Sequence, residues 1–160
     1  MSSRPDYKTV CKTSLGAELE EDECKVLAGI MKVQQLEDGE MLVKEGVNDT
    51  TLFVLTEGKL AVVGSVLGQE LTVYTMSPGE CAGTRAFVDR TPRKATLRAI
   101  GKATVCTLQP EDFEAMLEAH PRIVYKVMRA LFRITHTNLM RMNLESQELV
   151  NYVSKIRGRY

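Results

Sequence analysis

Histidine is scarce in this chain, and that scarcity closes off much chemistry. Only His120 and His136 are present, each apart from any cluster of acids or thiols. Neither a metal site nor a Ser/His/Asp set can be built from them. No two carboxylates stand at a spacing that suits acid–base catalysis. The expectation is a protein that is not an enzyme, with no catalytic residues, no metal and no cofactor. The four cysteines, Cys11, Cys24, Cys81 and Cys106, include no C-x-x-C and fit no zinc or iron–sulfur spacing. Four reduced thiols in a cytoplasmic protein are the simplest reading. There is no signal peptide and no apolar run long enough to span a bilayer, so no membrane partner is expected. Net charge is zero, so bulk electrostatics select no partner.

The 160 residues, 44% hydrophobic and 26% charged, suit one domain with a real core. Charge is uneven along the chain. Residues 1–50 carry six Lys/Arg against eleven Asp/Glu, and residues 121–160 carry eight against two. The basic end reads as a solvated helix face or as a surface for an acidic partner.

The first twelve residues are polar and read as loosely held. Acids at Glu18 and Glu20–Glu23 and apolar residues at helical spacing predict a short amphipathic helix over Ala17–Met31. The period then changes. Short β-rich runs with Gly-marked turns follow: Met41–Gly46, Thr51–Thr56, Lys59–Val66, Leu71–Met76, Ala95–Ile100 and Thr104–Leu108. With turns every eight to twelve residues, about eight strands are expected in an antiparallel roll. Gln109-Pro110-Glu111-Asp112 starts a helix, with Phe113, Met116 and Leu117 as its apolar side. From Pro121 to about Ser154 neither Pro nor Gly interrupts. Met128, Phe132, Thr135, Leu139, Met142, Ser146, Leu149 and Val153 form a heptad seam along that helix. The seam predicts a parallel contact with a second subunit. The domain reading is residues 1–120 as a β-roll with its N-terminal helix, and residues 121–160 as a dimerisation helix continuous with it.

Pro78–Thr96 is the stretch with binding chemistry. Glu80 offers a carboxylate suited to ribose hydroxyls. Gly83 and Thr84 can bring backbone N–H groups to an anion, and Arg93 is a guanidinium suited to a phosphate. The stretch can therefore hold both ends of a small nucleotide.

The order of elements, with Leu36-x-Asp38-Gly39-Glu40, Leu52–Val62, Gly79-Glu80, Thr91-Pro92-Arg93-x-Ala95-Thr96 and Pro110–Phe113, resembles the cyclic nucleotide-binding domain. More narrowly, it resembles the sensor half of Crp/Fnr regulators. The resemblance covers about Ala17–Asn138. It implies a mainly β, double-stranded β-helix (jelly-roll-like) roll with flanking helices and a long C-terminal helix. It matches Gly79-Glu80 to the start of the phosphate-binding cassette, where the glutamate takes the ribose 2′-hydroxyl and backbone amides meet the cyclic phosphate. Arg93 matches the phosphate arginine, Thr96 lies just past it, and Asn138 falls near the base.

One departure lies inside the cassette. Ten or eleven residues separate Gly from Arg in the family, whereas Gly79 to Arg93 is fourteen. Extra residues around Cys81–Val88 then lengthen a helix or fill the phosphate site, with Arg85 or neither arginine binding. Glu80 and Arg93 can also pair with each other. A second departure is that the residues after the long helix leave no room for a winged helix-turn-helix, so no direct DNA binding is expected. The implied function is a stand-alone cytoplasmic sensor of cAMP or cGMP, a homodimer through residues 121–154, with its output supplied by a protein effector. The alternative is a ligand-free member of the fold acting as an interaction module. A third reading makes the protein a redox or gas sensor through Cys81.

Overall fold

The computed structural model describes residues 3–158. Six strands form one antiparallel sheet, curled into a roll, with helices at both ends of the chain. This is the mainly β architecture that the strand and turn pattern implies. The strands are β1 (Lys32–Leu36), β2 (Met41–Val43), β3 (Leu52–Val66), β4 (Gln69–Met76), β5 (Cys81–Ala82) and β6 (Thr96–Leu108). β6 is the hub. It pairs with β1, β2 and β3, and β3 in turn pairs with β4 and β5.

The count of six replaces the expected eight, and the reason is local. Glu57-Gly58 and Gly101-Lys102 were expected to reverse the chain. Instead the register slips around Glu57 while β3 runs on against β6. Gly58 (φ 82°) and Gly101 (φ 69°) are both left-handed. At Gly58 a Cβ would lie 2.3 Å from the Lys102 carbonyl oxygen. These glycines kink long strands as bulges do. Leu67-Gly68, by contrast, is a true reversal. Both residues have positive φ, the geometry of a two-residue hairpin turn.

Three corrections concern the N-terminal region. Residues expected to be loosely held form helix α1 (Tyr7–Lys12), with the Asp6 carboxylate accepting from the Lys8 N–H. The helix expected over Ala17–Met31 is shorter: α2 spans Glu21–Ile30, and Ser14–Gly16 wind as a separate 3-10 turn. Its start is fixed by a reciprocal cap between Glu20 and Glu23. Cys11 and Cys24, read as reduced thiols, are joined in a disulfide. The packing of α1 beside α2 brings their Cα atoms to 5.7 Å, a juxtaposition that a thirteen-residue separation does not reveal.

For order along the chain, α3 (Thr84–Asp89) precedes β6, and α4 (Pro110–Glu114) and α5 (Pro121–Arg157) follow it. Pro110 opens α4 as expected, with Phe113 and Met116 buried; Leu117 is exposed. The core has two parts. One fills the roll, around Leu55, Leu60 and Val105. The other lies between roll and helices, around Leu27, Leu52, Leu108 and Val127. Each such fully buried aliphatic side chain contributes about 1.5–3 kcal/mol. Ion pairs back this second layer: Lys126 of α5 with Glu23 at 2.5 Å, and Arg133 with Glu18 at 2.8 Å. Past Ile134, α5 has no buried residue. Phe132, Leu139, Met142 and Leu149 are all more than half exposed, so the heptad seam is uncovered within the chain.

Candidate functional site

A cavity of about 890 Å³ opens between the roll and α5, within the size range of small-molecule sites. Its walls come from four places: the 3-10 turn and Glu18, the roll around Val62 and Leu97, the Gly83–Ala86 and Pro92–Ala95 segments, and α5 from Ala130 to Glu145.

Arg93 is the buried charged residue of the cavity wall. Its backbone is pinned on both sides, its N–H donating to the Val47 carbonyl and its own carbonyl accepting from Gly46. The side chain is only 4% exposed. Nη2 donates to Asp49 Oδ1 at 3.1 Å and to the Thr51 carbonyl oxygen, and the guanidinium lies over the Phe53 ring at 4.9 Å. Nε and Nη1 are buried without a protein partner. A guanidinium in such a place is short of acceptors, and a buried charge needs them. Burial pulls the arginine's pKa down, while the Asp49 hydrogen bond and charge oppose that. Partial burial pushes the Asp49 carboxyl up, but hydrogen bonds from Thr51 and the Arg93 charge outweigh it, leaving that pKa below the ordinary value.

The Gly83 backbone also lies beside this guanidinium. Its φ is +83°, and a Cβ there would lie 2.0 Å from Arg93 Nη1. It is the N-cap residue of α3, and Thr84 follows as the helix's first residue. Both line the cavity.

Glu80 also lines the cavity but belongs to a different piece of structure. Its Oε1 accepts from the Tyr74 hydroxyl, and its Oε2 accepts from the Ser77 N–H at 2.7 Å. The Glu80 hydrogen bond is the first cause holding the Tyr74 phenol above its usual pKa. Arg141 of α5 stacks over the Tyr74 ring at 3.9 Å. Glu80 and Arg93 therefore do not pair with each other; each has its own partner.

The remaining site candidates separate cleanly. Asn138 and Thr137 line the cavity from α5, whereas the Thr135 hydroxyl donates to the Leu131 carbonyl of its own helix. Arg85 lines the rim, exposed and 4.0 Å from Asp89. Thr96 does not line the cavity. It is buried, and its hydroxyl oxygen accepts from the Glu45 N–H. Gly79 is a turn residue: its N–H donates to Leu55, and its carbonyl accepts from the Ser14 N–H and hydroxyl.

Asp49 and Tyr74 were not foreseen. Asp49 sits in a polar loop where only its turn with Thr51 is a local signal, and Tyr74 reads as one more strand aromatic.

Residues 33–120 match the sequence model of the cyclic nucleotide-binding domain. The chain belongs to this family. It is 28% identical over 109 residues to the cGMP-dependent protein kinase of Plasmodium berghei, matching 68% of this chain but only 12% of that protein. A cyclic nucleotide-binding domain from Methylobacillus flagellatus superposes with a TM-score of 0.77 at 19% identity. It covers 84% of this chain and 76% of that one. The catabolite activator protein of Thermus thermophilus superposes with a TM-score of 0.71 at 22% identity, over 84% of this chain and 63% of that one. The Crp/Fnr-like fold is thus shared.

The family spacing of ten or eleven residues between cassette Gly and Arg is met by Gly83, ten residues before Arg93. It is Gly83, and not Gly79, that the structure seats against the guanidinium. Counted from Gly83, the cassette holds no extra residues, and Gly79-Glu80 form the turn before it.

Proposed function

We propose that this domain binds a purine 3′,5′-cyclic nucleotide such as cAMP or cGMP. The observation that supports this best is the buried Arg93 with two unpartnered donors, held against Gly83 in an open cavity. The cyclic phosphate meets Arg93, and the base lies toward Thr137 and Asn138 on α5. Because one wall of the cavity is α5, ligand binding is linked to the position of that helix, to the extent that the ligand's affinity differs between positions. The exposed seam supports a homodimer through α5, and the basic end of the helix supports a protein effector that supplies the output. A non-enzymatic signalling role completes the reading.

Isothermal titration of protein freed of co-purified nucleotide, with cAMP and with cGMP, tests it. Saturable binding is expected. Arg93→Ala should weaken it by about 1.5–3 kcal/mol, the worth of a charge-assisted hydrogen bond. Arg93→Lys, with circular dichroism alongside, controls for folding. No binding to the stripped protein would favour the ligand-free interaction module.

A further inference from the structure

Resting on the reading above, we infer that this pocket takes its cyclic nucleotide without a requirement for the ribose 2′-hydroxyl. Three observations lead there. First, the residue after the glycine that touches Arg93 is Thr84, a neutral hydroxyl. Second, the nearest carboxylate in sequence, Glu80, already spends both oxygens on Tyr74 and Ser77. Third, among the carboxylates of the described residues, the one paired with Arg93 is Asp49, and it does not line the cavity.

Of the two other carboxylates on the cavity wall, each has one oxygen beside an arginine. Glu18 Oε1 lies 3.4 Å from Arg129 and 2.8 Å from Arg133, and its Oε2 has no hydrogen-bond partner but is shut off from solvent. Glu145 lies on the outer stretch of α5, 4.0 Å from Arg141. A ribose hydroxyl donated to a free carboxylate makes a charge-assisted bond, which separates ribo from deoxy ligands by about ten- to a hundred-fold. A hydroxyl–hydroxyl contact separates them by only a few-fold. The ribose end of this pocket offers the second kind of contact.

The test is displacement titration with four ligands: cAMP, 2′-deoxy-cAMP, cGMP and 2′-deoxy-cGMP. In the unaltered protein each deoxy ligand should bind within about three-fold of its ribo partner. Thr84→Glu should create a preference for the ribo form of about ten-fold or more. Thr84→Gln, of the same size but uncharged, should not. A ten-fold ribo preference in the unaltered protein overturns the inference while leaving cyclic nucleotide binding intact, and its loss in Glu80→Gln or Glu18→Gln would name the reader. An unchanged ratio in a folded, binding-competent Thr84→Glu variant overturns the placement of residue 84 at the ribose. Failure of all four ligands to bind overturns the function proposed above, and this inference with it.

Discussion

Gly79 and Gly83 are both left-handed, yet what surrounds them differs. A Cβ on Gly79 would meet nothing within 4 Å, whereas one on Gly83 would run into the Arg93 guanidinium. Gly79→Ala should therefore carry only the backbone strain, about 1–2 kcal/mol of stability, with nucleotide affinity unchanged. Gly83→Ala should show the same strain and also displace Arg93, with affinity falling by about ten-fold or more. Denaturant unfolding paired with calorimetry separates the two. Cys81 answers a second residue-scale question. It is buried, and burial, partly opposed by its hydrogen bond with Ser14, pushes its thiol up to about 11. Cys106 is likewise pushed up to about 11 by burial. At pH 8 both thiols should react with Ellman's reagent only as the protein unfolds. A thiol that titrates at once in the native protein would restore Cys81 as a sensor candidate. The ambiguity of register at the site has a simple cause at this scale. Gly79-Glu80 and Gly83-Thr84 both follow the pattern of a glycine and a polar residue, and only the contact between Gly83 and Arg93 tells which one opens the cassette. The partner of Arg93, Asp49, lies 44 positions away, where local sequence carries no sign of it.

Among the elements, those with local punctuation were legible before any coordinates. The Leu67-Gly68 hairpin, the proline-opened α4 and the uninterrupted α5 are of this kind. Glycine was ambiguous, because the same left-handed backbone reverses a chain at Gly68 and merely kinks it at Gly58 and Gly101. β1 was missed because its residues, Lys32–Leu36, are mostly exposed and show no alternation. The seating of α5 on α2 depends in part on Lys126 and Glu23, whose side chains are 23% and 17% exposed. The Lys126 hydrogen bond, helped by the Glu20 N–H, holds the Glu23 carboxyl below its ordinary pKa. A carboxyl with a depressed folded-state pKa stabilises the protein above its unfolded value of about 4.3, and that contribution is lost as pH falls through the folded value. Glu23→Gln should cost about 1 kcal/mol at pH 7 and flatten the acid side of the stability profile. Unfolding measured from pH 7 down to pH 3 checks both.

At the scale of the whole molecule, two contacts are open to direct test. The Cys11–Cys24 disulfide closes a loop that contains Ser14, which lines the cavity and holds Gly79. For a loop of this size the cross-link is worth about 3 kcal/mol, so reduction should lower the melting temperature by several degrees. A scan with and without dithiothreitol, against a Cys11→Ser/Cys24→Ala variant, measures it. The proposed dimer predicts that Leu149→Glu, far from the cavity and 63% exposed, yields monomers in analytical ultracentrifugation with the fold intact.

The length of α5 has a mechanical consequence. Its first half is bolted to the body by Lys126, Arg129 and Arg133, and it continues well past the cavity to Arg157. From Glu145, the last residue of the cavity wall, it projects roughly 18 Å at 1.5 Å per residue. A swing of about ten degrees, pivoting at the cavity, would carry its tip through about 3 Å, more than half a helical pitch. The helix is thus a pointer with high gearing, in which an adjustment near the Tyr74–Arg141 stack too small to disturb the roll is enlarged at the far end.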